Sequence, residues 1–341
     1  MVKKYRSGII GLGRIGFLFQ FDKKREQPAS HSYALFKNKR ISIVAGCDSD
    51  QERLNKWKSF YKKSKTYLSY ENMLKEEDLD IVTIAVNEKS HLEITLNTIE
   101  KKPKLIILEK PVAVNLKDAY LIKEKSEKYN VPILVNHPRR YSNHYINLKK
   151  ILENKEIGEI HSVIASLWSG LKIWKKDCSI NGNCSLIHDG THIIDIIQYL
   201  FNIDLSSPNI DKIIKKDEDL DSIFLHYNSD MSPYVVYLEI SGNKKYFGFD
   251  IDIRGSLGRI IIGNGYFKIY KRDKSKLYSN FYSLYKKFDY SNKKLKYFSN
   301  MIDNAVNFLD GKEKIFSTLD DGIKSLESIY KIVEKDSLFL Y

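Results

Sequence analysis

The chain has 341 residues, 43% hydrophobic and 29% charged, with a formal net charge of +13. That length allows two domains with separate cores, and no apolar run approaches the roughly 20 residues that cross a bilayer, which argues against a membrane protein. A start without a signal-peptide core, and three cysteines without a Cys-x-x-Cys pair, point to a cytoplasmic protein with reduced thiols; the scattered lysines come with no nucleic-acid-binding motif, so the charge is read as attraction for small anions.

A short apolar strand through Ile9 and Ile10 runs into Gly11, Gly13 and Gly16, the spacing at which a parallel strand turns into a helix. Gly11 would make the tight turn and Gly13 would leave no Cβ between backbone and a pyrophosphate. Gly16 would let the helix pack closely, its N-terminus facing phosphate. A first helix is expected from about Arg14. Residues 21–31, broken by Pro28, read as a loop, and a helical piece follows over 32–37. The strand Ile41–Cys47 ends in Asp48, whose carboxylate can accept hydrogen bonds from the ribose of NAD and would repel the extra phosphate of NADP. Asp48 comes later than the roughly 20 residues of the usual fingerprint, the Pro28 loop accounting for the surplus. Its alternative role is to cap the next helix.

The alternation continues with a helix over 51–59, a strand over 65–68, a helix from about Tyr70, a buried strand over 80–86 and a helix His91–Glu100. A strand over 105–108 opens onto Glu109-Lys110-Pro111. The helix Leu116–Tyr129 then leads to the strand Ile133–Asn136 and a polar cluster over 137–141. Such alternation builds a doubly wound parallel sheet. Past about residue 153 the texture changes: one long helix over 185–201, and strand-like runs over 160–168, 222–227, 234–241, 246–254, 259–262 and 266–270. Their period-2 alternation predicts a large, mostly antiparallel open sheet, one face free for a helix or a partner subunit. Helices over 297–309 and 319–333 close the chain. The expected class is α/β, with domains 1–137 and 138–341 and the last helices packing back on the first.

Two stretches could carry chemistry. Lys110, at the carboxyl edge of the sheet and partly desolvated, would have a lowered pKa and could exchange a proton with a substrate hydroxyl, while Pro111 fixes its backbone; otherwise it is a surface lysine at a strand end. On a helix, His188, His192 and Asp195 share one face, with Asp189 one step around. Imidazoles exchange protons near neutral pH, and the alternative is core or capping histidines. Cys178 and Cys184 could share a metal with His188 and His192, but there is no His-Glu-x-x-His pattern, and no metal is assigned.

With the glycine turn, Glu109-Lys110-Pro111 and the histidine helix in this order, and further landmarks at 157–160, 252–259 and 302–309, nearly the whole chain resembles the Gfo/Idh/MocA family of oxidoreductases. The resemblance implies an N-terminal Rossmann domain binding NAD(P), with Asp48 favouring NAD over NADP, and a C-terminal domain whose sheet joins subunits into a homodimer or homotetramer. It implies hydride transfer between the nicotinamide and a secondary alcohol of a sugar or cyclitol. Gly11, Gly13, Arg14, Ile15 and Asp48 would hold the dinucleotide, Val86, Asn87 and His91 would lie along it, and Glu109 would sit beside the nicotinamide ribose. Lys110 matches the family lysine between nicotinamide and substrate, and His192 the histidine that meets the reacting hydroxyl. The aspartate usual four residues earlier is His188 here, so the proton relay falls to His188 or to Asp189. Arg139, Arg140, Trp174, Asn181 and the 28–31 loop are candidates to line the substrate site. The paired arginines and the basic balance favour a sugar phosphate or nucleotide sugar over a free polyol. An NAD-retaining glycosidase and a non-catalytic NAD-dependent sensor are the rival readings.

Overall fold

The computed structural model describes residues 4–171, 184–216, 219–228 and 234–335. The chain divides into two compact units, Met1–Ser142 with Leu295–Leu326, and Asn143–Lys294 with Glu327–Tyr341.

The first unit holds six strands: β1 (Tyr5–Ile10), β2 (Ile41–Cys47), β3 (Lys65–Tyr67), β4 (Ile81–Ile84), β5 (Leu105–Glu109) and β6 (Ile133–Asn136). All pair in parallel, in the order β3-β2-β1-β4-β5-β6. Every residue of β4, β5 and β6 is buried, as strands covered on both faces must be. The connecting helices are α1 (His31–Lys37), α2 (Gln51–Phe60), α3 (Tyr70–Glu76), α4 (His91–Glu100) and α5 (Leu116–Tyr129). Four of them start where a short polar side chain takes up free amides: Ser30 for α1, Asp50 for α2, Ser69 for α3 and Asn115 for α5. A short helix α6 (Pro138–Tyr141) follows β6. The core joins Ile9, Leu35, Trp57, Ile81, Ile107 and Leu134 to Phe298, Met301 and Ile302 of a late helix, numbered α10 below.

The first helix expected from Arg14 is not formed. A turn over 14–17 leads into a 3-10 helix, Leu18–Phe21. The reason is competition for acceptors, since the carbonyls of Ile15 and Gly16 receive the amides of His31 and Ser32 at 3.0 Å each instead of amides one turn ahead.

The second unit begins with α7 (Asn143–Glu153), a helix absent from the expected elements, whose buried face is His144, Tyr145, Leu148 and Ile151. Its sheet comprises β7 (Ile160–Trp168), β8 (Asn209–Lys216), β9 (Asp219–Tyr227), β10 (Val235–Ser241), β11 (Gly248–Gly255), β12 (Gly258–Gly263), β13 (Tyr266–Lys274) and β14 (Tyr282–Asp289). The order is β14-β13-β12-β11-β7-β10-β9-β8, antiparallel throughout except for the parallel pair β7 and β10. Alternate residues line one covered face, among them Val163, Ala165 and Leu167 of β7 and Phe249, Ile251 and Ile253 of β11. The helix expected over 185–201 is two helices, α8 (Ser185–His188) and α9 (Gly190–Phe201). Gly190 lies at the break, where a Cβ would stand 3.1 Å from the Ile329 side chain. Helices α10 (Tyr297–Leu309) and α11 (Leu319–Lys335) end the described chain. Among the described residues no helix is long and apolar enough to cross a membrane.

Candidate active site

The strand order of the parallel sheet reverses between β1 and β4, and ligands of doubly wound folds lie in the crevice beyond the carboxyl ends at such a point. The glycine turn sits there, and its three glycines answer to three different constraints. Gly11 has φ +96, and a Cβ on it would stand 2.5 Å from the Ala85 carbonyl oxygen, at the end of β4. Gly16 lies against the Gly11 carbonyl, 2.0 Å from where its own Cβ would be. Gly13 faces open space, the nearest atom to its Cβ position being an Arg53 guanidinium nitrogen at 3.9 Å. Among the described residues the amides of Gly13, Arg14 and Ile15 donate to no protein group. Unused amides beside a position without a Cβ fit a pyrophosphate, which needs donors and close backbone approach. With only a turn and a short 3-10 helix behind them, those amides rather than a helix dipole are what the cradle offers. Arg14 is exposed and Ile15 is half-buried against the core.

Asp48 is buried at the end of β2. Its Oδ2 accepts the Leu12 amide at 2.7 Å and its Oδ1 the Asp50 amide at 3.0 Å, so it braces the glycine turn from below. Arg53 lies beside it, 3.3 Å from Oδ2. The helix cap is Asp50, not Asp48.

At the end of β4, Val86 is half-buried, and the exposed Asn87 caps a short 3-10 turn by accepting the Lys89 amide. His91 is buried, with Nδ1 at 2.8 Å from the Pro111 carbonyl and Nε2 at 3.3 Å from that of Val86. It thereby ties the end of β4 to the Glu109-Lys110-Pro111 turn. Burial lowers its pKa, so the neutral ring donates from Nδ1 to Pro111.

Glu109, at the end of β5, is also buried. One oxygen, Oε1, takes both His31 Nε2 and Asn136 Nδ2, each at 2.6 Å. Burial pushes the carboxyl up, but the hydrogen bonds from His31 and Asn136 and the Lys110 charge outweigh it, so Glu109 is held below the usual carboxylate range. Lys110 is half-buried next to it, across a cis bond from Pro111.

The paired arginines part company. Arg140 is buried, donating to the Phe316 carbonyl at 3.0 Å and pairing with Asp321 at 3.1 Å, whereas Arg139 is partly exposed. Trp174 and Asn181 lie outside the described residues.

In the second unit, His188 and His192 are half-buried and Asp195 is buried. The break at Asp189 puts His188 on α8 and His192 on α9, so the continuous helical face expected for them is interrupted. Asp189 accepts the Ser169 hydroxyl at 2.6 Å, and its backbone carbonyl takes the His192 amide at 3.0 Å. Cys184 is disulfide-bonded, a correction to the reduced thiol expected, while Cys47 is free and buried. Among the described residues no cluster of His, Cys, Asp and Glu could hold a metal.

Two residues of this site were missed or misread in the sequence. Asn136 was legible only as a polar residue ending a buried apolar strand. His31 was placed in a loop facing substrate, yet it is wholly buried.

A parallel sheet in this order, with a glycine turn at its reversal, defines a dinucleotide-binding Rossmann domain. Residues 5–137 match the model of the Gfo/Idh/MocA family, described as "Oxidoreductase family, NAD-binding Rossmann fold". The chain is 24% identical over 277 residues to the myo-inositol 2-dehydrogenase of Thermotoga maritima, covering 76% of this chain and 75% of that one. It is 26% identical over 214 residues to the glucose-6-phosphate 3-dehydrogenase of Bacillus subtilis, covering 60% and 55%. In fold it resembles a dehydrogenase from Chromobacterium violaceum with a TM-score of 0.80 at 16% identity, over 98% of this chain and 96% of that one.

Proposed function

We propose that the chain is an NAD-dependent dehydrogenase or reductase that moves a hydride between the nicotinamide and a secondary hydroxyl of an anionic sugar. The observation that carries the reading is the family match, which spans the glycine turn, Asp48 and Glu109-Lys110-Pro111 together. The bound nicotinamide supplies the hydride acceptor or donor. The amides of 13–15 hold the pyrophosphate, Asp48 meets the adenine ribose and so favours NAD, and Glu109 accepts a hydrogen bond from the nicotinamide ribose through Oε2. Lys110 exchanges the proton of the reacting hydroxyl, its ammonium restrained by the Glu109 charge beside it. His192 is the second proton-transfer group. His188 and Asp189, whose Oδ2 accepts the Ser169 hydroxyl, are the candidates for its relay.

The anionic character of the substrate rests on the net charge of +13 and on the likeness to a glucose-6-phosphate 3-dehydrogenase. Arg140 is committed to Phe316 and Asp321, and Arg139 is partly exposed. The exposed apolar side chains of β14 and of its connection to β13, Leu277, Tyr278, Phe281 and Tyr282 among them, support a homodimer or homotetramer formed through the open sheet. The test is NADH absorbance with NAD and a panel of free polyols, sugar phosphates and nucleotide sugars, with Lys110→Ala as control. Turnover of sugar phosphates or nucleotide sugars, lost in the variant, supports the reading; turnover of free inositol alone would overturn its anionic part. Sugar release without free NADH would indicate the glycosidase instead.

A further inference from the structure

His31 makes two sets of contacts, one through its backbone and one through its ring. Its backbone amide donates to the Ile15 carbonyl, and the next amide, Ser32, to that of Gly16, so the start of α1 fixes the outer limb of the glycine turn. Its ring lies in the interior with no exposed surface, packed edge-on against Phe298 at 5.0 Å between centroids, and reaches Glu109 Oε1. Asn136 reaches the same oxygen. Among the described residues no protein donor reaches Oε2. The carboxylate is thus held from one side by two buried donors, with its other oxygen left as an acceptor of fixed direction. A buried carboxylate held in this way keeps its charge and orientation, whereas one that loses a donor must protonate or turn.

We propose that His31 is a positioning residue for the dinucleotide: through its ring it aims Glu109 Oε2 at a ligand hydroxyl, and through its backbone it sets the turn that takes the pyrophosphate. Asn136 shares the first task. This rests on the reading of the site as an NAD site. His31 touches neither substrate nor cofactor; it acts through Glu109.

The test measures NADH binding to the full-length protein by nicotinamide fluorescence, with a melting curve for each variant. His31→Leu is expected to bind NADH about tenfold more weakly, the size of one misdirected charge-assisted hydrogen bond. His31→Gln, which keeps an N–H donor, is expected to recover most of that loss. In a Glu109→Gln background, His31→Leu should cost less than a further twofold, because the carboxylate it serves is gone. Asn136→Leu is the second variant, should His31→Leu fail to fold, and its loss must likewise vanish on Glu109→Gln. Equal affinity of His31→Leu and the parent overturns the proposal. So do losses that multiply in the double variants, and so does a His31→Gln protein as weak as His31→Leu. If the parent protein itself binds no NADH, the NAD-site reading fails first, which distinguishes the two failures.

Discussion

The parallel sheet of the first unit and the mostly antiparallel sheet of the second are both built on apolar strands, yet they place their reactive groups differently. In the first, Asp48, Val86, Glu109 and Asn136 each stand at or just past the residue where a buried strand stops, and each neighbours a side chain or turn from another strand end. The result is a set of hydrogen bonds that tie strand ends to their neighbours: Asp48 on Leu12, His91 on Pro111 and Val86, and His31 with Asn136 on Glu109. In the second, the histidines come from two helices meeting at a break, while the sheet serves as support and ends in charged strands. Strand ends fix reactive atoms through the hydrogen-bond register of a whole sheet; a helix break fixes them only through local packing, here Gly190 against Ile329.

The contrast can be broken most directly at Lys110. Lys110→Ala is expected to lower kcat/KM by about 10²- to 10⁴-fold, the range of a lost proton-transfer group, with NADH affinity within about threefold of the parent by fluorescence titration. An equal loss in both measurements would make Lys110 a binding group instead. Next in size is a pair of glycine variants that separates folding from binding. Gly16→Ala puts a methyl 2.0 Å from a backbone carbonyl and is expected to cost about 3 kcal/mol in denaturant unfolding. Gly13→Ala, facing open space, should melt with the parent and yet bind NADH at least about tenfold more weakly, about 1.4 kcal/mol. If Gly13→Ala binds NADH as the parent does, the turn is not the pyrophosphate cradle.

The same contrast explains what could be read in advance. The parallel sheet was legible because its strands are continuous apolar runs that stop at glycine or a polar residue, and motif and strand end coincide at Gly11, Asp48 and Glu109. The antiparallel sheet was read except at its two edges: β8, with Lys212 and Lys215, and β14, with Lys286 and Lys287, carry the charges that keep edge strands from pairing, and those charges hide the alternation. The missing first helix was beyond reach, since its carbonyls are taken by amides at positions 31 and 32 across a loop. His31 and Asn136 were invisible as a pair, because only the order of strands brings the start of α1 and the end of β6 onto one carboxylate.

The smallest effect, and the one that tests these ties between strand ends most cleanly, concerns pH. His91 is buried and its pKa is lowered from 6.5. Between that value and its lower folded one, the unfolded chain binds a proton that the folded chain does not. Stability is therefore full above about pH 6.5 and falls as the pH drops, at up to about 1.4 kcal/mol per pH unit, until the folded value is passed. Glu109 acts in a separate window, because its folded pKa lies below the usual 4.5: its contribution is present above that value and is lost only as the pH falls through the lowered one. His91→Asn keeps an N–H near the place of Nδ1 and removes the titration. Its melting temperature should change less than the parent's between about pH 6.5 and 5, with the loss below about pH 4.5 retained. A variant whose stability falls with the parent's slope across the upper window would show that the link between β4 and the Glu109-Lys110-Pro111 turn is made by something other than a neutral His91.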